Sequence, residues 1–340
     1  MSSPYTTPPA RSDSPPLQRP RVDLAQNGPM TTTRADRPLP LEFTSPTPLV
    51  LRGRTFDAGR PAVMAVINRT PDSFFSGNRH ADLDSALAAL ERAMSSGADL
   101  VDVGGVRAGQ EGEVVTPAQE IDRVLPFLEA ARKRHPDVIL SLDTWRSEVA
   151  RAAAAAGIDL VNDTWAGHDP DLVCVAAGIG AGYVISHTGG LPPRTDPVDV
   201  DYGPDPLDVV RDVVRTLREG ADAAHRAGVA RERILVDPTL DFGKTTVHSL
   251  EVLRHTADIV ALGFPVLQAL SRKDFVGETL DLPAQERLEG TLAATAIAGW
   301  LGATVFRAHD VRATRRVADM VATLRGDRPP LLAERGVRRA

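Results

Sequence analysis

The chain has 340 residues, with 39 Lys and Arg against 45 Asp and Glu for a formal net charge of −6, and 42% of it is hydrophobic. That length suits one large α/β domain or two ordinary ones, and the mild acidity gives neither nucleic acid nor an anionic membrane a footing as partner. No apolar run approaches the ~20 residues needed to span a bilayer, and no charged-then-apolar leader opens the chain, so a soluble, cytoplasmic protein is expected.

Residues 1–45 are rich in Pro, Ser, Thr and Arg and show no periodicity, which predicts a disordered tail. Residues 46–326 read as one domain and 327–340 as a second, shorter tail. Within the domain the apolar runs come in the order "AVMAVIN", "DLVDVGG", "VILSLDT", "DLVNDT", "GYVISH", "ILVDP", "PVLQALS" and "TVFRAH". Each is followed by helical spacing, as in "DLDSALAALERAMSSGAD" after the first. Continuous Val, Ile and Leu runs predict strands covered on both faces, as in a parallel sheet. Strand then helix, eight times over, predicts a (β/α)8 TIM barrel. A doubly wound open sheet is the rival, disfavoured because no G-x-G-x-x-G follows the first strand. The only cysteine, Cys174 in "LVCVAAG", reads as a buried small hydrophobe.

The runs are expected to finish in Asn68, Asp102, Asp143, Asn162, His187, Asp237, Ser271 and His309. One polar strand end can simply cap the next helix. Eight at the same edge converge on the C-terminal mouth of a barrel, where that fold carries its chemistry. The first loop, "NRTPDSFFSG", resists both helix and strand and is a candidate lid. Asp143, Asn162 and Asp237 could accept from a ligand with several N–H donors, such as an aminopterin-like ring. Lys273, Arg307 and His309 follow the seventh and eighth runs, where this fold commonly holds phosphate. Asn68 could take a phosphate oxygen or Mg²⁺.

Plainer readings stay open at several positions. Asp143 could be a helix cap, Lys273 a solvated loop charge and His187 a satisfied structural histidine. Trp145 and Trp165 could wall the pocket or pack outside it. "DFGKT" is not a phosphate-cradling P-loop, because its leading glycine position is Pro238. No His/Cys cluster has zinc-ligand spacing.

"NRTPDSFFSG", "DVGG", "LDTWR", "VNDTW", "DPTLDFGKT", "SRKDFVGE", "ERLEGTLAATA" and "FRAHDV" together resemble, in order and spacing, the blocks of dihydropteroate synthases. The likeness runs from about residue 62 to 325 and leaves out only the tails. It implies a (β/α)8 barrel, usually a homodimer, that joins 6-hydroxymethyl-7,8-dihydropterin diphosphate to p-aminobenzoate and releases diphosphate with Mg²⁺. On that resemblance Asp143, Asn162, Asp237 and Lys273 match pterin-pocket positions, and Asn68, Arg307 and His309 match diphosphate and Mg²⁺ positions. Asp72, in the first loop, joins Asn68, Lys273, Arg307 and His309 as a catalytic candidate.

The chain also departs from that pattern. Ala108 and Gly109 stand where the family has Thr and Arg in its second loop, and Ser76 stands where the first loop has Asp. Thr239 and Asp241 replace two glycines, and Ser186 replaces a Met that lies against the pterin ring. Arg107 or Gln110 could compensate in the second loop. The sequence therefore points to a divergent synthase-type transferase with weakened or altered use of p-aminobenzoate, or another amine as acceptor. The alternative is a catalytically inactive pterin-binding homologue acting as a binding or regulatory protein.

Overall fold

The computed structural model describes residues 46–69, 82–107, 114–195 and 200–335. The expected N-terminal tail, Asp72, Ser76, Ala108, Gly109 and Gln110 lie outside these residues.

A short antiparallel hairpin comes first: β1 (Leu49–Leu51) and β2 (Arg54–Phe56). Eight parallel strands follow: β3 (Ala62–Asn68), β4 (Leu100–Gly104), β5 (Ile139–Asp143), β6 (Leu160–Asn162), β7 (Gly182–Ser186), β8 (Ile234–Asp237), β9 (Leu267–Ala269) and β10 (Val305–Ala308). They pair in the order β8-β7-β6-β5-β4-β3-β10-β9, and a parallel bridge from Val236 to Val266 brings β8 against β9. The sheet thus closes into the expected (β/α)8 barrel.

Helices follow the strands in turn: α1 (Leu83–Ser95), α2 (Pro117–Arg134), α3 (Ser147–Ala153), α4 (Leu172–Gly178), α5 (Asp208–Arg226), α6 (Thr246–Arg254) with α7 (Thr256–Val260), α8 (Asp274–Leu280) with α9 (Leu288–Trp300), and α10 (Val311–Arg325). Local signals set their starts. Thr116 and Gln119 form a capping box ahead of α2, with Pro117 in its first turn. Asp82 caps α1 through the Ser85 N–H at 2.8 Å. After α10, Asp327 accepts from Arg325 Nε at 2.7 Å and Arg328 donates to Asp319 at 2.8 Å; residues 329–335 carry neither helix nor strand.

Side-chain alternation divides the core in two. Val63, Ala65, Ile67, Val101, Val103, Leu140, Leu142, Val161, Tyr183 and Ile185 face outward into the layer beneath the helices. Met64, Leu100, Ile139, Leu160, Val184, Leu235, Leu267 and Val305 face inward, and Leu49, Leu51 and Phe56 of the hairpin plug the same cluster from below. Further along the same inward-facing register the residues turn polar: Asp102, Ser141, Asn162, Asp237 and Arg307.

One sequence expectation fails here. Cys174 is exposed. Leu172, Val175 and Ala176 take the buried face of the short helix α4, and Cys174 falls on the opposite side.

Candidate functional site

The mouth is organised by Asp102, a residue to which the sequence assigned no binding or catalytic role. Asp102 is fully buried, and its Oδ1 accepts from Ser141 Oγ at 2.5 Å. Its Oδ2 accepts from Asn162 Nδ2 at 3.0 Å and from Arg307 Nε at 2.7 Å. Arg307 Nη2 donates onward to Asp143 Oδ2 at 2.8 Å, and Thr164 Oγ1 donates to Asp143 Oδ1 at 2.6 Å. Asp143, Asn162 and Arg307, widely separated in sequence, therefore meet through Asp102.

The strand-end reading of Asp102 is corrected by this geometry. β4 continues two residues to Gly104, which pairs with Asn68 on one side and Asp143 on the other. Asp102 lies within the strand, facing the barrel axis. Arg307 was expected to face phosphate; in this structure its guanidinium is held by the two carboxylates of the N–H-accepting side. Burial pushes Asp143 up to about 7, with Arg307 opposing and Asp102 adding to the rise.

Asp237 closes the other side of the mouth. Its Oδ1 accepts from the Thr239 N–H at 2.7 Å; burial raises its pKa, and Lys273 is the strongest charge opposing that rise. Lys273 Nζ donates to Leu240 O and lies 4.6 Å from the Phe242 ring centroid. Burial lowers its pKa. Phe242 meets Trp165 edge-on at 5.3 Å, and Trp165 is buried, so Trp165 belongs to this aromatic wall. Trp145 is instead half-buried under Arg146, whose guanidinium lies 4.5 Å from its ring.

The two replaced glycines leave a backbone signature. Thr239 and Asp241 hold φ of 50° and 71°, a left-handed conformation that disfavours side chains. Asp241 has a compensating role: its carboxylate accepts from the Asp274 N–H at 2.7 Å, the Phe275 N–H at 3.2 Å and Ser249 Oγ at 3.3 Å. It ties the loop after β8 to the start of α8, beside Lys273.

Lys244, in the rejected P-loop look-alike, is buried. Its ammonium donates to His187 O at 2.8 Å, Phe242 O at 2.9 Å and Thr239 O at 3.2 Å, and burial lowers it to about 7. Gly243 beside it has φ of 60°, and a Cβ there would stand 2.1 Å from Thr188 O, so only glycine fits. These carbonyl partners agree with the rejection of a P-loop that Pro238 dictates in the sequence.

His187 is satisfied on one side only, because its buried Nδ1 has no hydrogen-bond partner among the described residues. Its Nε2 lies 2.8 Å from Asp212 Oδ2 on α5, and its ring is 5.9 Å from that of Tyr202. Burial first, and Lys244 second, lower it to about 4, while the His187 hydrogen bond holds Asp212 down at about 2. His309 lies on the mouth beyond β10, its Nδ1 3.0 Å from Ser271 Oγ. Burial and then Arg307 lower it to about 4, so it is neutral at neutral pH.

Asn68 sits half-exposed at the tip of β3. The next residue, Arg69, is a clamp: Nη1 donates to Asp82 O at 2.6 Å and Nε to Arg123 O at 3.0 Å, which pins the described residues on either side of 70–81. Among the described residues no group of three or more His, Cys, Asp or Glu could hold a metal ion. Asn68 offers one neutral oxygen, which suits Mg²⁺ only where phosphate oxygens and water complete its shell.

With this geometry in view, the comparisons are specific. The family described as "Pterin binding enzyme" matches residues 64–309. The chain is 52% identical over 288 residues to "Inactive dihydropteroate synthase 2" of Mycobacterium leprae, covering 85% of this chain and 99% of that one. It is 35% identical over 270 residues to the dihydropteroate synthase of Clostridium beijerinckii, covering 78% and 96%. The fold is similar to the structure of a dihydropteroate synthase from Coxiella burnetii in complex with pteroic acid, with a TM-score of 0.74, 31% identity, and coverage of 84% of this chain and 100% of that one.

Proposed function

The chain belongs to the dihydropteroate synthase family of pterin-binding enzymes, and from that premise we propose that it holds a pterin ring in the barrel mouth without transferring it efficiently to p-aminobenzoate. The observation that carries the binding half is the buried network Asp102–Asn162–Arg307–Asp143, with Asp237 across the mouth. Ionised carboxylates only accept hydrogen bonds, and a pterin offers several N–H donors along one edge. The loss of transfer rests on sequence: Ala108, Gly109 and Ser76 supply none of the Thr, Arg and Asp chemistry that the family's two loops carry. The Mycobacterium leprae relative's designation as an inactive dihydropteroate synthase agrees with that reading.

A second reading keeps the chemistry and changes the acceptor. Lys273, Arg307 and His309 are all present, and a diphosphate arriving at His309 would draw its pKa back up and charge it. Mg²⁺ would be held there by Asn68 and the diphosphate oxygens and would neutralise the leaving charge. An amine other than p-aminobenzoate would then be the partner.

The proposed assembly is a homodimer. Ile297 and Trp300 of α9 and Met320 and Leu324 of α10 are exposed on neighbouring helices, and α9 is apolar over most of its surface. Among the described residues no helix is long and apolar enough to cross a membrane.

Two variants separate the readings. Asp237→Asn should remove pterin diphosphate binding in calorimetry, and unchanged affinity would end the pterin proposal. The triple change Ser76→Asp, Ala108→Thr, Gly109→Arg should restore p-aminobenzoate-dependent turnover. No gain, with pterin still bound, would mean that the loss of transfer lies outside these loops.

A further inference from the structure

The loop after β8 holds a conformation that one of its own side chains resists. Thr239 has φ of 50°, in the left-handed region, where a β-branched residue crowds its own backbone. A glycine adopts that conformation freely. Backbone strain of this kind persists only where the surroundings over-determine it, and it concentrates at functional sites. Thr239 is buried, and its hydroxyl and amide are both engaged.

Those bonds run between two strand ends. β7 and β8 pair Ser186 with Asp237, and Thr239 lies two residues beyond that pair. Its Oγ1 accepts from the His187 N–H at 3.2 Å and donates to Asp237 O at 3.0 Å. Its own N–H donates to Asp237 Oδ1 at 2.7 Å. Behind the loop, Lys244 Nζ donates to His187 O at 2.8 Å and to Thr239 O at 3.2 Å, so an ammonium joins the same two residues a second time. A glycine at 239 would keep the N–H and the carbonyl but lose the hydroxyl, and with it the link from His187 to Asp237.

We propose that Thr239 is a positioning residue: its hydroxyl fastens the end of β7 to the end of β8 and keeps its N–H on the Asp237 carboxylate, which then meets the ligand in one orientation. The left-handed backbone is what places the hydroxyl between the two strands. The inference rests on the pterin-binding reading for what Asp237 holds, and goes beyond it to how Asp237 is held. A preset acceptor raises affinity by removing the ordering that binding would otherwise require.

The test sets Thr239→Gly, which removes the hydroxyl and the strain together, beside Thr239→Ser, which keeps a hydroxyl on the same atom. Two readouts are taken on the full chain. One is the titration of the Asp237 carboxyl by carbon NMR without ligand, its signal identified by its loss in Asp237→Asn. The other is calorimetric titration with 6-hydroxymethyl-7,8-dihydropterin diphosphate. The charges acting on Asp237 are Lys273, Lys244 and Arg307, and neither variant alters them. In Thr239→Gly the N–H should leave the carboxylate, so the Asp237 midpoint should rise by about one pH unit. Affinity for the pterin diphosphate should fall about 10-fold in the same variant, and Thr239→Ser should match wild type in both readouts. An Asp237 midpoint unmoved in Thr239→Gly, or a rise as large in Thr239→Ser, overturns the inference whatever the ligand does, as does undiminished affinity in Thr239→Gly. A midpoint that rises in the glycine variant alone, in a chain that does not bind the pterin diphosphate, upholds the positioning of Asp237 and removes the pterin reading.

Discussion

The lower and upper parts of the barrel interior are built on the same strands and answer to different demands. Below, Met64, Leu100, Ile139, Val184, Leu235 and Val305 close on Leu49, Leu51 and Phe56 of the hairpin, and every one of these side chains is at most 1% exposed. That packing gains from water exclusion and needs nothing else. Above, the register carries Asp102, Ser141, Asn162, Asp237 and Arg307 into the same low-dielectric space. Buried charges persist there only because each has a partner. The lower part can be perturbed without touching recognition; the upper part cannot be perturbed without losing both.

The largest expected effect falls on the upper part. Asp102→Ala strips Arg307 Nε and Asn162 Nδ2 of their shared acceptor, which should destabilise the fold by about 3–5 kcal/mol. It should also weaken pterin binding at least 100-fold. Denaturant unfolding and calorimetry read the two losses separately, and intact binding would break the contrast from above.

Phe56→Ala tests it from below. Deleting the plug should cost about 3–5 kcal/mol in urea unfolding, with the affinity of the folded fraction for pterin unchanged. A parallel loss of affinity would mean that the plug shapes the mouth.

The third effect belongs to the wall behind the site. Burial holds His187 at about 4, below its ordinary value of 6.5. Between those values the unfolded chain takes up a proton that the folded chain does not. The stability is therefore fully present above pH 6.5 and is lost as pH falls to 4, by about 3 kcal/mol. His309 acts with the same sign, whereas Asp143, raised to about 7, acts with the opposite sign between pH 4 and 7. Comparing wild type with His187→Asn isolates the first contribution, and the variant should show a shallower loss of stability over that range. Equal slopes would place the His187 pKa near its ordinary value.

The smallest effect is at Asp241. Asp241→Gly relieves a left-handed side chain but releases the Asp274 and Phe275 N–H groups, so the net change should stay within about 1 kcal/mol. Removing the carboxylate beside Lys273 should also lower the Lys273 pKa, because Asp241 favours its charged form. Titration of the lysine by NMR checks the sign.

The barrel itself was legible because eight Val, Ile and Leu runs alternate with helical spacing, and because a strand buried on both faces needs no polar residue until it leaves the core. The same feature obscured the role of Asp102, which the sequence placed at a strand end like the others. In a doubly buried strand, period-2 alternation is blurred, and "DLVDVGG" gives no sign that its second Asp faces the axis two residues before the strand ends. Asp143, Asn162 and Asp237 were legible as strand-end polar residues. The partner of Arg307 was not, because Asp102 lies far away in sequence and meets it only through closure of β10 on β3. Cys174 was misread because an apolar neighbourhood in sequence says little about which side of a seven-residue helix faces solvent.

The central claim, retained pterin recognition with lost transfer, is tested most directly by one assay. Purified protein is given Mg²⁺ and 6-hydroxymethyl-7,8-dihydropterin diphosphate, with and without p-aminobenzoate, and both bound pterin and released diphosphate are measured. Saturable pterin binding with a release rate indifferent to p-aminobenzoate is the predicted result. Diphosphate release that climbs with p-aminobenzoate would contradict it and make the chain a working synthase.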